Sequence, residues 1–511
     1  MTEKQFGKEW TRKEAFKSTM WFFLHFLVLV LIAAGLLLGD KLSYIGEYMW
    51  QHGANYLYAL FCVFLLVLIM YFYFLFEDKT LLMSGKKIAL LFTVLDLYFI
   101  ASWLIGDKLD IYARPVALVA LLIFVLMGRR EAIFMNVVSA LLVFVIDTFT
   151  GSIEGSGALA ESNLMSYEYY SSLIISFSAG MFAIFFCDRA KTRFRIVGIG
   201  LLIVAPIDLI IFLLEVSTLV DGTTNVSSET FQRIMGRMGY GLIGGLSSAV
   251  LFLALLPLFE WAFNCLTAFR LRELTSSDSR ILKKLKQEAP GTYNHSVMVA
   301  QLAEACAAAI GENVDYARAA ALYHDVGKLH NPEHFTENQG DYNLHDELTP
   351  ELSADIIRSH AKDGYTLIHS NHLPDFFADV AMQHHGTMPI RYFYAKALKL
   401  TDGELNIEDF SYLGPKPQTK IAAIVMIADA SEAAVRAVNA RTPEQAEKAI
   451  RAVIEERMDL EQFAECDITM ADLTKIRQAL VSTLTGVHHH RIKYPNIKYK
   501  RTENGTKGES E

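Results

Sequence analysis

The first half of the chain is a series of apolar runs, each close to the length that crosses a lipid bilayer. A transmembrane helix needs about 20 residues. Eight runs approach this length: 19–38, 54–76, 88–105, 114–128, 132–149, 169–187, 194–216 and 239–265. The fourth run is short, which leaves seven spans if one run is re-entrant. Because a helix satisfies its own backbone polar groups in lipid, the runs predict a membrane domain of about eight helices over 19–266.

The composition narrows the class of protein further. The chain has 511 residues, of which 52% are hydrophobic and 20% are charged, and this excludes a disordered chain. Its five cysteines have no paired spacing, which excludes a disulfide scaffold and is typical of a reducing compartment. The net charge of −9 argues against a nucleic-acid polymer as partner, because phosphate backbones recruit basic surfaces.

Basic residues are distributed unequally between the two sides of the predicted bundle. Fourteen precede the first span or lie in alternate loops: Lys4, Lys8, Arg12, Lys13, Lys17, Lys79, Lys86, Lys87, Arg129, Arg130, Arg189, Lys191, Arg193 and Arg195. The opposite loops contain five: Lys41, Lys108, Arg114, Arg233 and Arg237. Because cytoplasmic loops carry an excess of Lys and Arg, we expect the N-terminal segment 1–18 and everything after 266 to be cytoplasmic. The apolar stretch 21–38 is longer than the usual core of a cleaved signal peptide, which favours a membrane anchor.

Four carboxylates lie inside predicted spans, where a charge is costly and is often functional. Asp96 and Asp208 are near mid-span, and they are the candidates for a membrane site that senses a ligand or ion. Asp147 and Glu215 are nearer the ends of their spans. The alternative, which we favour, is that these carboxylates form hydrogen bonds between helices or lie near the membrane interface.

Beyond residue 266 the apolar runs stop and histidine becomes frequent. Thirteen of the 15 histidines lie in this part of the chain. Apolar residues recur there at helical spacing, in 296–310, 315–323, 420–438 and 443–457. We therefore expect an all-α soluble domain over 267–487, followed by a polar tail over 488–511.

Histidine and aspartate residues recur on these helical segments in an ordered set. The set is His295, the adjacent His324 and Asp325, His360, the adjacent His384 and His385, and Asp429. Neutral imidazole and carboxylate suit iron, manganese or zinc, and five histidines with two aspartates exceed the needs of one ion. A two-metal site follows if Asp325 bridges the ions. One ion would then have His295, His324 and Asp429, and the other would have His360, His384 and His385.

Longer motifs around these residues resemble those of the HD-domain metal-dependent phosphohydrolases. The motifs are Glu288-Ala-Pro-Gly-Thr-Tyr-Asn-His-Ser296, Tyr323-His-Asp-Val-Gly-Lys328, Asn331-Pro332, Phe335-Thr-Glu-Asn-Gln339, His384-His-Gly-Thr387 and Gly414-Pro-Lys-Pro417. Together with the preceding spans, they resemble the membrane receptors with an intracellular HD domain, the PgpH-type cyclic di-AMP phosphodiesterases. The resemblance covers nearly the whole chain.

The resemblance implies that all seven residues of the set are metal ligands, and that the substrate is cyclic di-AMP, opened to linear pApA. Two bound ions, with iron and manganese as the expected metals, would lower the pKa of a shared water and stabilise charge on the phosphodiester. Asp325 is the expected catalytic bridge. Lys328 would share a helix face with His324 if the helix continued, and would then steady a substrate phosphate; the alternative is a solvated helix end. The lipid bilayer is the second expected partner, while a homodimer and an unidentified ligand or partner protein at the membrane domain stay open.

The sequence departs from the family pattern at three places. Family members commonly have a large extracytoplasmic domain between the first two spans, whereas residues 39–53 alone separate them here, so helices, short loops or a partner protein would sense an outside ligand. Leu344 and Ile421 stand where Pro and an acidic residue are common. The related HD-GYP class, which cleaves cyclic di-GMP, should have a Gly-Tyr-Pro element shortly after the pair of histidines. This class is disfavoured, because Gly-Thr-Met-Pro-Ile follows His385 here.

Two alternative functions remain for the chain: a receptor whose HD domain binds nucleotide without turnover, and an HD hydrolase acting on another nucleotide.

Overall fold

The described part of the chain is helical. A computed structural model describes residues 12–150, 164–190, 192–220, 228–340, 342–400, 404–440 and 442–487. Within these residues the β pairing is limited to one isolated bridge between Pro389 and Ser411, which confirms the predicted all-α class. The predicted tail over 488–511, and residues 1–11 of the predicted N-terminal segment, lie outside the described residues.

The chain divides into two compact units, Met1–Leu274 and Thr275–Glu511. The first unit contains α1 Arg12–Leu38, α2 Ile45–Glu77, α3 Lys79–Leu82, α4 Gly85–Lys108, α5 Leu118–Leu126, α6 Arg129–Thr150, α7 Leu164–Cys187, α8 Arg193–Leu202, α9 Val204–Val220, α10 Ser228–Ala262 and α11 Ala268–Leu274. The second contains α12 Arg280–Glu288, α13 Pro290–Ile310, α14 Val314–Tyr323, α15 Pro350–Ser370, α16 Asp375–Gln383, α17 Arg391–Leu398, α18 Lys420–Ala437, α19 Pro443–Asp459 and α20 Met470–Val487.

Six helical stretches of the described first unit are long and apolar enough to cross a membrane. They are Lys13–Glu77, Gly85–Lys108, Arg129–Phe149, Tyr170–Cys187, Arg193–Val216 and Ser228–Ala262. The first has 65 residues and contains the first two predicted spans. This stretch folds back on itself at the 3₁₀ helix Gly39–Tyr44. The fold-back is seen in the contact between Phe22 of α1 and Tyr71 of α2, whose ring centroids are 5.3 Å apart. The chain is therefore a multi-pass membrane protein, and the number of about eight spans stays a prediction.

The fourth predicted span takes an irregular form. Only Leu118–Leu126 is α-helical there, since Pro115 lacks a backbone N–H and restricts the residue before it. Residues 111–123 are all buried, and non-helical backbone is tolerated at membrane depth when protein surrounds it. Gly244 of α10 permits this packing, because a Cβ there would collide with the Tyr112 carbonyl.

Helix α18 forms the centre of the second unit. Its residues from Ile421 to Ala428 are all buried, as expected of a helix that is apolar on every side. Thr419 caps its start, because Thr419 Oγ1 accepts a hydrogen bond from the Ala422 N–H at 3.1 Å. The buried part of α18 thus leads directly into Asp429.

Candidate metal centre

Three of the predicted histidines are held in the same way. His324 follows α14, His360 lies in α15 and His384 follows α16. In each, the ring Nδ1 lies close to the backbone carbonyl three residues earlier, at 2.6, 2.5 and 2.8 Å respectively. Since a carbonyl only accepts, Nδ1 donates its proton there, and Nε2 is left as a bare acceptor. The local helix geometry therefore sets both the tautomer and the direction of these rings.

His295 of α13 is held between two carboxylates of α18. Its Nε2 lies 3.0 Å from Asp429 Oδ1, and its Nδ1 lies 3.0 Å from Glu432 Oε2. Asp429 and Glu432 are three positions apart, so they share one face of the helix. Burial opposes protonation of His295, but these carboxylates outweigh it and raise the pKa of the ring to about 10. In the absence of a metal, the ring therefore donates to both carboxylates at neutral pH.

The Asp325 carboxylate lies between two groups of ring nitrogens and is 1% exposed. Its Oδ2 faces His324 Nε2 at 3.2 Å and His295 Nε2 at 3.7 Å. Its Oδ1 faces His360 Nε2 at 3.4 Å and His384 Nε2 at 3.6 Å. In each group the possible ligand atoms lie within 4.8 Å of one another. One carboxylate thus contacts histidines on both of its sides, as a bridging ligand must.

Asp429 and His385 lie at the edge of the same cluster. Asp429 Oδ1 is 3.9 Å from His324 Nε2, and its Oδ2 is 3.9 Å from His385 Nδ1. His385 also belongs to the group formed by Asp325, His360 and His384. The structure therefore brings all seven predicted ligands together, and their binding of metal stays a prediction.

On the Oδ1 side of Asp325, hydrogen-bond acceptors face one another with no hydrogen-bond donor from the described residues between them. The Nε2 atoms of His360 and His384 are 3.3 Å apart, and neither carries a proton because each Nδ1 does. Burial lowers the pKa of His360 to about 3, so this ring stays neutral at physiological pH. Both Asp325 oxygens are buried and have no hydrogen-bond partner among the described residues. Buried lone pairs that converge at Asp325 Oδ1 are stabilised by a cation, and the donor set fits a divalent metal.

The two aspartates are in the form that a metal requires. Burial disfavours the charge on Asp325, but His324 and Lys328 outweigh it and hold the pKa of this carboxyl well below its usual range. Burial also opposes the charge on Asp429, but the hydrogen bond with His295 outweighs it and lowers the pKa of the Asp429 carboxyl. Ionised carboxylates do not have to lose a proton before they bind a cation.

Lys328 reaches the cluster from a different element than expected. Helix α14 ends at Tyr323, and the 3₁₀ helix Val326–His330 follows, so the condition under which Lys328 would share a helix face with His324 is not met. The backbone leaves α-helical geometry at Asp325, with φ −105° and ψ 13°. The Lys328 Nζ lies 2.8 Å from Glu337 Oε1 and 2.7 Å from Asp325 Oδ2, the latter an ion pair outside hydrogen-bond angles. Its side chain is 12% exposed, which excludes a solvated helix end.

An open cavity of about 460 Å³ adjoins the His295 side of the cluster. Its lining residues are Gly291, Asn294, His295, Met298, Thr336, Glu337, Glu432 and Arg436. Arg436 brings a cation to this wall, where it is paired with Glu432 at 3.1 Å and has a half-exposed side chain. A cavity of this volume is within the usual range for a small-molecule ligand.

Three residues of the site were not predicted from the sequence. Glu432 orients His295, Glu337 pairs with Lys328, and Tyr412 stacks on His385 with ring centroids 4.2 Å apart. The spacing of Glu432, three positions after Asp429 on a helical segment, could have revealed it. Glu337 and Tyr412 lie outside the α-helices, and no sequence periodicity places them.

The mid-span carboxylates lie on separate helices of the first unit. Asp96 is in α4 and Asp208 is in α9. In each, one carboxylate oxygen is buried and has no hydrogen-bond partner within the described residues. The alternative of a hydrogen bond between helices therefore gains no support at these two positions, and their role in sensing stays a prediction.

The other two membrane carboxylates form ion pairs inside the bundle. Arg114 binds Asp147 through two hydrogen bonds of 2.5 and 3.1 Å. Arg237 and Arg233 bind Glu215 at 2.5 and 3.2 Å. Three basic residues that the sequence assigned to outer loops are thus partners of intramembrane acids.

Two family models match the chain. Residues 54–267 match the model described as 7TM receptor with intracellular HD hydrolase, and residues 292–434 match the HD domain. The first covers most of the apolar helices, and the second includes all seven residues of the cluster.

The chain is also similar to known proteins. It is 36% identical to the cyclic-di-AMP phosphodiesterase PgpH of Bacillus subtilis over 427 residues, which are 83% of this chain and 57% of that protein. It is 36% identical to PgpH of Listeria monocytogenes over 459 residues, which are 86% of this chain and 59% of that protein. The chain thus spans less than two thirds of the length of these relatives.

Two solved structures of the HD domain of L. monocytogenes PgpH also match. One is 47% identical, with a TM-score of 0.40, and covers 41% of this chain and 99% of that chain. The other, a complex with cyclic di-AMP, is 49% identical, with a TM-score of 0.40, and covers 42% of this chain and 99% of that chain.

Proposed function

The chain belongs to the membrane receptors with an intracellular HD hydrolase domain, and from this we propose that it is a membrane-anchored phosphodiesterase. Its substrate is cyclic di-AMP, which it opens to the linear dinucleotide pApA. The choice of substrate is supported by the two PgpH relatives, whose name states cyclic di-AMP phosphodiesterase activity.

The observation that carries the proposal is the buried Asp325 carboxylate with histidines on both of its sides. Two divalent ions, expected to be iron or manganese, supply an activated water and polarise the phosphate oxygens when they are bound there. His295, His324 and Asp429 would hold one ion, and the opposite group would hold the other. The ligands of that opposite group are His360, His384 and His385, and Asp325 is shared.

The chain's own residues prepare the site before substrate arrives. The rings of His324, His360 and His384 are fixed by their Nδ1 hydrogen bonds, so no rotation is needed to direct Nε2 at a metal. The ammonium of Lys328 has three N–H donors, of which one bonds to Glu337 while Asp325 is an ion-pair partner only, so Lys328 retains donor capacity for a substrate phosphate.

The catalytic domain, over 267–487, faces the cytoplasm together with the N-terminus, and the membrane domain regulates it. The unequal distribution of Lys and Arg between alternate loops supports this orientation. A cytoplasmic catalytic domain would have access to a nucleotide in the cytoplasm.

The test uses the full-length protein in detergent, loaded with Mn²⁺ or Fe²⁺ and incubated with a panel of cyclic and linear nucleotides. Chromatography should show conversion of cyclic di-AMP to pApA. Asp325→Asn should abolish turnover, whereas Asp315→Asn, at an exposed position of α14, should leave it unchanged.

The same experiment separates the two alternative functions. Hydrolysis of a different nucleotide would overturn the proposed substrate and retain an HD hydrolase. Tight binding of cyclic di-AMP without any product would favour a receptor that does not turn over its ligand.

A further inference from the structure

His385 differs from the other four histidines of the cluster in how its ring is held. Each of the other rings has one nitrogen bonded to a backbone carbonyl or a carboxylate. Within the described residues no hydrogen bond orients the His385 ring. Its Nδ1 lies 3.9 Å from Asp429 Oδ2, which is beyond hydrogen-bond distance. Hydrogen bonds of the described residues thus do not set the plane of this imidazole.

The carbonyl three residues before His385 lies close to another segment of the chain. In the neighbouring histidine, His384, the ring bonds to the carbonyl three residues earlier. The equivalent carbonyl for His385 belongs to Met382, and the backbone of Gly414 lies directly against it. A Cβ at Gly414 would collide with the Met382 oxygen. The Gly414 segment therefore packs closely against the carbonyl that corresponds to the one used by the His384 ring.

The same segment brings an aromatic ring onto His385. The Tyr412 ring stacks on the imidazole with centroids 4.2 Å apart and planes inclined by 25°. It also meets His360 edge-on, with centroids 5.9 Å apart and an angle of 82°. We propose that Tyr412 is a positioning residue: its ring, through stacking, holds His385 in the orientation that binds the ion on the Asp325 Oδ1 side.

The backbone around Tyr412 is attached to the turn that carries His385. The Tyr412 N–H donates to the Met388 carbonyl at 3.0 Å, and the Ile390 N–H donates to the Phe410 carbonyl at 2.8 Å. Both bonds flank the isolated bridge between residues 389 and 411.

A further hydrogen bond fixes the segment beyond Tyr412. The Gln418 N–H donates to Gln383 Oε1 at 3.0 Å, and Gln383 directly precedes the two adjacent histidines. The segment is thus bonded to the chain before and after His385, so the Tyr412 ring has a defined place from which to act.

The inference rests on the proposed metal centre and is tested by metal binding rather than by turnover. The full-length protein in detergent is freed of metal and titrated with Mn²⁺ in the absence of nucleotide. Calorimetry measures stoichiometry and affinity, and electron paramagnetic resonance measures the coupled signal of two adjacent Mn²⁺ ions. Loss of an orienting contact to a ligand typically weakens metal affinity by about 10- to 100-fold.

Tyr412→Leu removes the aromatic ring, and Tyr412→Phe removes only the hydroxyl. We expect Tyr412→Leu to bind one ion normally and the second at least about tenfold more weakly, with loss of the coupled signal at limiting Mn²⁺. Tyr412→Phe should behave as the wild type does. The matched control is Tyr392→Leu, at an exposed position of α17.

Two results would overturn the inference while leaving the metal centre intact. One is wild-type affinity for both ions in Tyr412→Leu. The other is a defect in Tyr412→Phe as large as that in Tyr412→Leu, because the hydroxyl would then be the active group. A wild-type protein that binds fewer than two ions would instead overturn the proposed metal centre itself.

Discussion

The two groups of ligands around Asp325 differ in their protons before any metal binds. In the metal-free protein the carboxylates raise the pKa of His295 to about 10, while burial lowers the pKa of His360 to about 3. Burial also holds the pKa of His385 well below its usual range. In the proposed two-metal assignment, an ion that binds His295 would have to displace a proton, and an ion that binds His360 and His385 would displace none from these two rings.

This difference predicts two pH dependences within one site. Between pH 6.5 and 8.5, the affinity of the His295 group for Mn²⁺ should rise about tenfold per pH unit, because one proton competes with the ion. The affinity of the opposite group should change little. Calorimetric titrations in two buffers of different ionisation enthalpy measure both the affinities and the proton released. If the affinities for the two ions changed equally with pH, the assignment of a displaced proton to the His295 group alone would be contradicted.

Glu432 supplies the control for this prediction. Glu432→Gln removes one of the two carboxylates that hold the proton on His295, so the pKa of this ring should fall. At a given pH in this range the first ion should then bind more tightly, because less work is needed to remove the proton, and the affinity for the second ion should stay as it was. An unchanged affinity for the first ion would show that Glu432 does not control the proton.

The sequence predicted the seven clustered residues but not the groups that orient them. The ordered set from His295 to Asp429 combines imidazole and carboxylate ligands on helical segments, so the metal-ligand chemistry itself indicated these residues. Glu337 and Tyr412 contact the site through packing of irregular segments, and such contacts have no periodic signal in the chain. The sequence left open whether α14 continues to Lys328, and it does not, because the backbone leaves α-helical angles at Asp325.

At the scale of elements, the site depends on close contact between the 3₁₀ helix Val326–His330 and α15. A Cβ at Gly327 would collide with the His360 carbonyl and with the Gly364 nitrogen. Because both obstacles are backbone atoms, they cannot move aside as a side chain would. The glycine thus allows the segment after Asp325 to lie against the helix that carries His360.

Gly327→Ala should therefore push Asp325 away from His360. We expect a loss of about 1–3 kcal/mol in the free energy of unfolding, as for other overpacked sites, together with weaker binding of the ion on the Oδ1 side. Thermal unfolding and Mn²⁺ titration measure the two effects. Gly340→Ala is the control, since nothing lies within 4 Å of a Cβ there. A lower melting temperature with unchanged affinity for both ions would contradict the role in positioning Asp325.

Helices could be predicted where the sequence has a clear apolar periodicity or a long apolar run. They were harder to predict where tertiary packing determines the backbone conformation. The all-α class and the long apolar helices follow from local composition. The conformation of residues 111–126 does not follow from local composition. Its irregular backbone is stabilised by the protein that surrounds it and by close packing against Gly244, which lies on a helix far along the sequence. Its burial could not be derived from the local sequence alone.

At the scale of the whole membrane unit, one buried ion pair joins that irregular segment to α6. Arg114 is 2% exposed and Asp147 is 4% exposed, and the two form a pair with two hydrogen bonds. Removing one member of a buried pair leaves an uncompensated charge, which typically costs about 3–5 kcal/mol. Arg114→Gln should therefore lower the melting temperature in detergent markedly.

The double variant Arg114→Gln/Asp147→Asn should be more stable than the single variant, because no charge is left alone. Arg233→Gln should have a smaller effect, since the Arg233 side chain is 47% exposed and Glu215 keeps Arg237. A double variant no more stable than Arg114→Gln would show that the ion pair is not the source of the stability.

The orientation of the whole molecule is the remaining prediction, and it decides whether the metal centre meets a cytoplasmic nucleotide. The positive-inside rule places the turn between α1 and α2 outside the cell and the second unit inside.

Two exposed positions allow this orientation to be tested. Trp50, at the start of α2, is 91% exposed, and Ser277 is an exposed residue at the start of the second unit. The five native cysteines are buried or only partly exposed, so the wild-type protein provides a low background for thiol labelling. A membrane-impermeant maleimide should label Trp50→Cys in intact cells, and should label Ser277→Cys only after the membrane is permeabilised. Labelling of Ser277→Cys in intact cells would place the metal centre outside, and a cytoplasmic second messenger could then not be its substrate.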